Sequence, residues 1–376
     1  MGLKTHTNKV PRLISDQTIL PGVFSLHLRA PGFSKQSFQN VQGNLQTQLG
    51  MFVDEINENI ENRSIEIIYA KKELKFPYRI PDIHAIPPGT FVIGKSRAKQ
   101  VTSDLMSVPH LLIGGETDGG KSTFQRQFAT TLYLNNPQYQ FLLIDLKEGL
   151  EFQLFESLPR VTVVTDVAKA ITEIGKLPLE LKRRMEIIRA ASCVDLPGYL
   201  EKCKEKAEFN RLVIIVDEAA ELFLSGPGKT GEGAQLARRA VAQVARQGRA
   251  VGIHLLLATQ RPEVKVIDGQ IKANLTGVLA YPTPNNETSM TVLGNTKATQ
   301  LPKIKGRALW KVGSQMTEVQ TPLLEPDEVR ALLKGKPKEK SKDAVAPEIK
   351  EAPQTPKVDR DKSLAGQLSE GCRERQ

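Results

Sequence analysis

Residues 110–122 read HLLIGGETDGGKS. Within them Gly115, Gly120, Lys121 and Ser122 fit the spacing G-x-x-x-x-G-K-[ST]. An apolar run precedes the glycines, and STFQRQFATTLYL, with helical spacing, follows them. A strand, a glycine loop and a helix in that order form a cradle for phosphate. Glycines let the backbone curl so that successive N–H groups point at one anion, where any Cβ would obstruct the approach. The N-terminus of the following helix adds partial positive charge. The loop of Gly115, Glu116, Thr117, Asp118, Gly119, Gly120, Lys121, Ser122 and Thr123 is therefore expected to hold a nucleoside triphosphate. Lys121 is expected to reach the β- and γ-phosphates, and the Ser122 hydroxyl to ligate Mg²⁺.

Carboxylates supply the rest of the chemistry. The run RLVIIVDEAAELF ends its apolar stretch in Asp217 and Glu218. Acidic side chains at the tip of a central strand lie beside a phosphate loop. Asp217 is expected in the Mg²⁺ shell, and Glu218 is expected to polarise the attacking water. A neighbouring run, HLLLATQRP, ends in Thr259 and Gln260, either of which could sense the γ-phosphate. A third, FLLIDLK, ends in Asp145, Leu146 and Lys147. A helix cap with an ion pair and a functional role are both open for that stretch.

The elements that must position these groups follow from the pattern of apolar runs. After residue 108 the chain carries HLLIGG, FLLIDL, VTVVTD, LVIIVDE, HLLLATQ and GVLAYPT, separated by helical stretches. Several are apolar without alternation, as strands buried on both faces are, so a mainly parallel sheet flanked by helices is expected. Before residue 100 the pattern differs. GVFSLHLRA and RSIEIIYA read as strands, and FQNVQGNLQTQLGMFV, residues 38–53, has apolar residues near helical spacing. The reading is an α/β protein with a small N-terminal α/β domain at 1–100, a nucleotide-binding domain at 101–335 and a disordered polar tail at 336–376.

Composition narrows the class. The chain has 376 residues, 40% of them hydrophobic and 25% charged, with a formal net charge of +10. That balance suits a globular protein with an anionic partner. No apolar run approaches the roughly 18–20 residues of a membrane span. The first residues, MGLKTHTNKV, lack the apolar core of a secretory signal. Cys193, Cys203 and Cys372 show no metal-ligand spacing. A cytoplasmic location is expected.

The stretches MSVPHLLIGGETDGGKS, FLLIDLKEGLEF, RLVIIVDEAAEL, GRAVGIHLLLATQRPEVKVIDGQIKANL and KIKGRALW resemble the FtsK/SpoIIIE family of hexameric double-stranded DNA translocases. The N-terminal GVFSLHLRAPGF is similar to the small domain that precedes the motor in that family, so the resemblance runs over residues 20–325. It implies a RecA-like P-loop ATPase fold, a homo-hexameric ring, ATP and Mg²⁺ as cofactors, and double-stranded DNA as partner. Lys121, Glu218 and Gln260 become the catalytic set. Basic loops facing the pore would supply Lys229, Arg238, Arg239, Arg261, Lys265 and Lys272, which neutralise phosphates without reading bases. Sparse aromatics in those loops argue against a single-strand stacking platform.

The chain also departs from the family pattern. It shows no membrane helix and no winged-helix pattern, and the compact form is similar to a mobile-element or phage-borne relative. A membrane-bound or mobile-element partner fits that form. Where the family carries an arginine after IKAN, this chain reads Thr288, Ser289, Met290 and Thr291. The cation that a neighbouring subunit would supply then falls first to Arg307 and next to Arg249. Two other assignments use the same residues: a conjugative coupling or viral DNA-packaging ATPase, and a nucleotide-dependent switch without sustained translocation.

Overall fold

The computed structural model describes residues 10–334 apart from 148, 225–230, 264, 265 and 268. Lys229, Lys265 and the expected tail at 336–376 lie outside the described residues.

The N-terminal part is a four-stranded antiparallel sheet in the order β1-β2-β4-β3. It is built from β1 (Arg12–Leu20), β2 (Val23–Arg29), α1 (Lys35–Asn40), α2 (Gln42–Leu49), β3 (Phe52–Asn59) and β4 (Ser64–Ala70). Alternation along β2 and β4 turns Leu26, Leu28, Ile65 and Ile67 to one face, where Phe38 of α1 and Leu45 of α2 cover them. The helical stretch expected across residues 38–53 is divided. Val41 separates α1 from α2, and Gly50 in the left-handed conformation (φ 62°) ends α2 so that β3 can begin.

A ten-stranded sheet forms the rest, in the order β6-β5-β14-β13-β12-β7-β11-β10-β8-β9. Its elements are β5 (Thr90–Lys95), β6 (Gln100–Asp104), β7 (His110–Gly114), α3 (Lys121–Asn135), β8 (Gln140–Ile144), β9 (Val161–Val164), α4 (Val167–Ala190), α5 (Leu196–Cys203), β10 (Leu212–Val216), α6 (Ala219–Leu224), α7 (Glu232–Val251), β11 (Ile253–Thr259), α8 (Gly269–Asn274), β12 (Gly277–Ala280), α9 (Asn286–Leu293), β13 (Arg307–Val312), β14 (Gln315–Gln320) and α10 (Pro326–Leu333). From β12 through β7, β11, β10 and β8 to β9, every pairing is parallel. These strands are the apolar runs singled out in the sequence. From β12 outward to β6 every pairing is antiparallel.

Both faces of the parallel strands are covered. Leu111, Ile113, Val213 and Ile215 pack with Phe124, Phe128 and Leu132 of α3. Leu112, Ile214 and Val216 face Ala237, Val241 and Val244 of α7 and Ile174 of α4. Burial on both sides is what makes the runs apolar at every position rather than alternately. β5 and β6 lie on either side of residue 100, yet both belong to the large sheet. Phe91 of β5 packs edge-on to Phe128 of α3 at 4.9 Å, which ties this hairpin to the helix that covers one face of the parallel strands.

Parallel order has one consequence for function. The C-terminal ends of β7, β8, β10 and β11 share one edge of the sheet. Residues 115–122, 145–147 and 217–218 follow the first three of those ends, and Thr259 closes β11 with Gln260 after it. The same edge of an open parallel sheet is where α/β proteins bind ligands.

Candidate nucleotide site

The loop after β7 has the conformation its glycines permit. Gly115 lies at φ 145° and Gly120 at φ 115°, both values that disfavour any residue with a Cβ. Space is limiting as well. A Cβ on Gly115 would stand 2.5 Å from Tyr281 Cβ, and one on Gly120 would stand 3.2 Å from Gly306 Cα. The loop is braced from outside. The Tyr281 hydroxyl lies 3.2 Å from Gly120 O, and the Gly306 N–H donates to Gly119 O at 2.8 Å. Tyr281 is fully buried, and the sequence reading did not select it. Not every loop amide is free for an anion: the Glu116 N–H donates to Pro282 O at 3.0 Å.

Lys121 opens α3, and its side chain folds back over the loop. Its ammonium donates to Gly115 O at 2.9 Å and to Glu116 O. Burial, reinforced by the nearby Lys147 ammonium, pulls its pKa down to about 8.

The carboxylates at the end of β10 have different surroundings. Glu218 is buried and held by several donors. Thr259 Oγ1 donates to Oε1 at 2.7 Å, the Gln260 N–H reaches Oε2 at 3.0 Å, and the Ala220 N–H reaches Oε1 at 3.3 Å. Lys147 Nζ lies 3.2 Å from Oε2. Asp217 accepts from the Leu146 N–H at 2.9 Å through Oδ1, while Oδ2 is buried without a hydrogen-bond partner among the described residues. Burial, and the neighbouring Asp145 and Glu218 charges, push the Asp217 carboxyl up to about 7. Asp145 does not cap a helix but braces the turn that follows β8. Its carboxylate accepts from Glu151 N at 2.8 Å and Phe152 N at 3.0 Å, and the accompanying ion pair is the one between Lys147 and Glu218.

Gln260 reaches the phosphate loop: its Oε1 accepts from Thr117 Oγ1 at 3.0 Å. Lys121, Glu218 and Gln260 thus line one cleft with Lys147, and the Thr259 side chain joins Glu218 rather than the loop. The basic residues are more dispersed. Arg239 and Arg261 are exposed. Arg238 donates to Phe223 O at 3.2 Å and stacks on the Phe223 ring, and Lys272 donates to Met290 O at 3.2 Å.

Arg307, the first candidate for a cation acting across a subunit boundary, is excluded by its surroundings. It is fully buried, and its guanidinium bonds Glu318 at 2.8 Å, Glu73 at 3.2 Å and Leu74 O at 3.1 Å. Glu73 and Leu74 come from far along the chain and Glu318 from the facing strand β14, contacts that KIKGRALW by itself does not disclose. Arg249 is exposed near the end of α7, at the opposite edge of the sheet from the phosphate loop.

Residues 84–264 match the model of the FtsK/SpoIIIE family. By that match these residues are similar to the FtsK/SpoIIIE family. The FtsK/SpoIIIE match contains the phosphate loop, Asp217 with Glu218, and Gln260. The DNA translocase FtsK of Campylobacter jejuni subsp. jejuni serotype O:23/36 is 33% identical over 234 residues, covering 61% of this chain and 24% of that protein. The DNA translocase FtsK of Caldanaerobacter subterraneus subsp. tengcongensis is 33% identical over 274 residues, covering 71% of this chain and 36% of that protein. The chain therefore spans well under half the length of these curated relatives. Among solved structures, the pCW3 conjugation coupling protein TcpA, in its monomer form with ATPγS, aligns with a TM-score of 0.65 at 27% identity. That alignment covers 88% of this chain and 95% of TcpA. Among the described residues no helix is long and apolar enough to cross a membrane.

Proposed function

We propose that this chain is an ATP-driven double-stranded DNA translocase of the FtsK/SpoIIIE type. It acts in the cytoplasm as a homo-oligomeric ring, most simply a hexamer. The observation that carries the reading is the placement of Glu218. A buried carboxylate, fixed by Thr259 and Gln260, stands beside a phosphate loop within the residues that match the FtsK/SpoIIIE family. In the hydrolytic step the water oxygen bonds to the γ-phosphorus as Glu218 takes the water proton. The β–γ bridging oxygen leaves with the electron pair of the broken bond. Lys121 and the loop amides meet the charge on the β- and γ-phosphates.

The residues present fit Mg²⁺. Asp217 Oδ2 is a buried acceptor without a partner among the described residues, and Ser122 opens the same cleft at the start of α3. Asp217 and Ser122 would hold the ion, which when bound neutralises charge on the phosphate oxygens.

Coupling to DNA has a short route. Gln260 touches Thr117 of the phosphate loop, and the next residue, Arg261, is exposed. A change at the γ-phosphate that moves Gln260 therefore moves a DNA-facing cation with it. Among the described members of the proposed DNA set Arg239 and Arg261 are the exposed ones; the set also includes Lys229, Arg238, Lys265 and Lys272. Arg249, being exposed, is the remaining candidate for the cation supplied in trans.

A second reading has its own support. The alignment with TcpA covers nearly all of that chain, which favours a conjugative coupling motor that uses the same site on a mobile element's DNA.

Duplex DNA of unrelated sequences should stimulate ATP hydrolysis alike. DNA affinity should fall steeply with salt, each phosphate contact adding about 0.9 to the log–log slope. Fluorescence anisotropy across a salt series, with hydrolysis measured in parallel, checks both. A flat salt response, or dependence on one DNA sequence, would rule the proposal out.

A further inference from the structure

Lys147 has no role in the mechanism above, yet its placement is not that of a surface lysine. The backbone that carries it is fixed on both sides. Asp145 accepts from the N–H groups of Lys147, Glu151 and Phe152, and Asp217 accepts from the Leu146 N–H. Asp145 and Asp217 are both buried. The ammonium extends from this anchored turn to Glu218 Oε2 at 3.2 Å, with about a third of the side chain exposed to the cleft.

The two carboxylate oxygens of Glu218 are held unequally. Oε1 accepts from the Thr259 hydroxyl and the Ala220 N–H, with a long contact from Gln260 N. Oε2 is held by the Gln260 N–H and by Lys147. Without Lys147, Oε2 keeps one of these donors, and the carboxylate is freer to turn about the bond that Thr259 anchors. A base that must meet a water in line with the γ-phosphorus loses rate when its orientation is relaxed, even with its charge intact.

We propose that Lys147 is a positioning residue for hydrolysis, one that aims the Glu218 carboxylate. The proposal rests on the reading of Glu218 as general base. It differs from two plainer roles. An ion pair of no mechanistic weight would leave the rate unchanged when removed, as many exposed pairs do. A direct phosphate ligand would weaken ATP binding when removed.

The test is hydrolysis by the full chain in steady state and in single turnover, with Lys147→Gln, Lys147→Arg, Glu218→Gln and the double variant Lys147→Gln/Glu218→Gln. Binding of a fluorescent ATP analogue reports that each variant is folded, and Lys147→Met takes the place of Lys147→Gln if the latter does not fold. Lys147→Gln should lower kcat by ~10-fold or more, within the range of acid–base positioning effects, with KM changed less than ~3-fold. Lys147→Arg should recover most of the rate, because a cation again reaches Oε2. In the Glu218→Gln background, Lys147→Gln should cost nothing further, since the group it aims is gone. An unchanged kcat, a loss carried mainly by KM, or multiplicative losses in the double variant each overturn the proposal. If Glu218→Gln hydrolyses ATP at the wild-type rate, the base assignment fails and takes this proposal with it. If Glu218→Gln is slow while Lys147→Gln is normal, only the role of Lys147 fails.

Discussion

Lys121→Ala should weaken ATP binding by ~100-fold or more and leave no measurable hydrolysis. The substitution removes a buried ammonium whose contacts are the carbonyls of Gly115 and Glu116, the same loop that would wrap the phosphates. A charge-assisted hydrogen bond contributes about 1.5–3 kcal/mol, and an ammonium between two phosphates makes more than one. The loop itself should survive the change. Its shape is set by the conformations of Gly115 and Gly120 and by the Tyr281 and Gly306 braces, none of which involve the Lys121 side chain. Isothermal titration with ATP and Mg²⁺ measures the loss, and an unchanged melting temperature shows that it is local. Wild-type affinity in this variant would refute the phosphate-loop assignment.

Glu218→Gln should bind ATP and hydrolyse it at least ~100-fold more slowly, the range that general-base roles contribute. The amide is nearly isosteric. Its single oxygen, at the Oε1 position, can still accept from Thr259 at 2.7 Å and from the Gln260 N–H at 3.3 Å. The NH₂ that replaces Oε2 gives up the Lys147 ion pair, and the amide cannot take a proton from water. Asp217→Ala should act differently, weakening the Mg²⁺-dependent part of binding, because it deletes a buried acceptor that has no partner among the described residues. Stopped-flow binding with single-turnover hydrolysis separates the two effects. Normal turnover by Glu218→Gln would mean that the base lies elsewhere in the cleft.

Much of this site was legible in the sequence because its parts are local. A glycine loop, an Asp-Glu pair and a Thr-Gln pair each end an apolar run, and the runs are apolar throughout because β7, β10 and β11 are covered on both faces. Parallel pairing then brings the run ends to one edge without further information. What escaped the reading was non-local. β13 and β14 are partly exposed and mixed in composition, and although they form a local hairpin with each other, the edge that carries the sheet onward pairs β14 with β5, far away in the chain. Tyr281 is one aromatic after a short strand, and its contact with Gly120 exists only once β12 lies beside β7. Lys147 meets Glu218 because β8 and β10 are neighbours, a pairing that neither local stretch encodes. Arg307 was misread for the same reason: Glu73 and Leu74 reach it from far along the chain, beside Glu318 of the facing strand.

Movement along DNA is the claim that separates a motor from a nucleotide-dependent switch, and strand displacement from a triplex measures it most directly. A labelled third strand annealed to one end of a long duplex is stripped off when a translocating ring reaches it. With ATP and Mg²⁺ the wild-type chain should release the third strand after a lag that lengthens with the duplex track. Glu218→Gln, which binds ATP without turning it over, should release none. Brisk DNA-stimulated ATP hydrolysis by the wild-type chain with no release of the third strand would contradict the account.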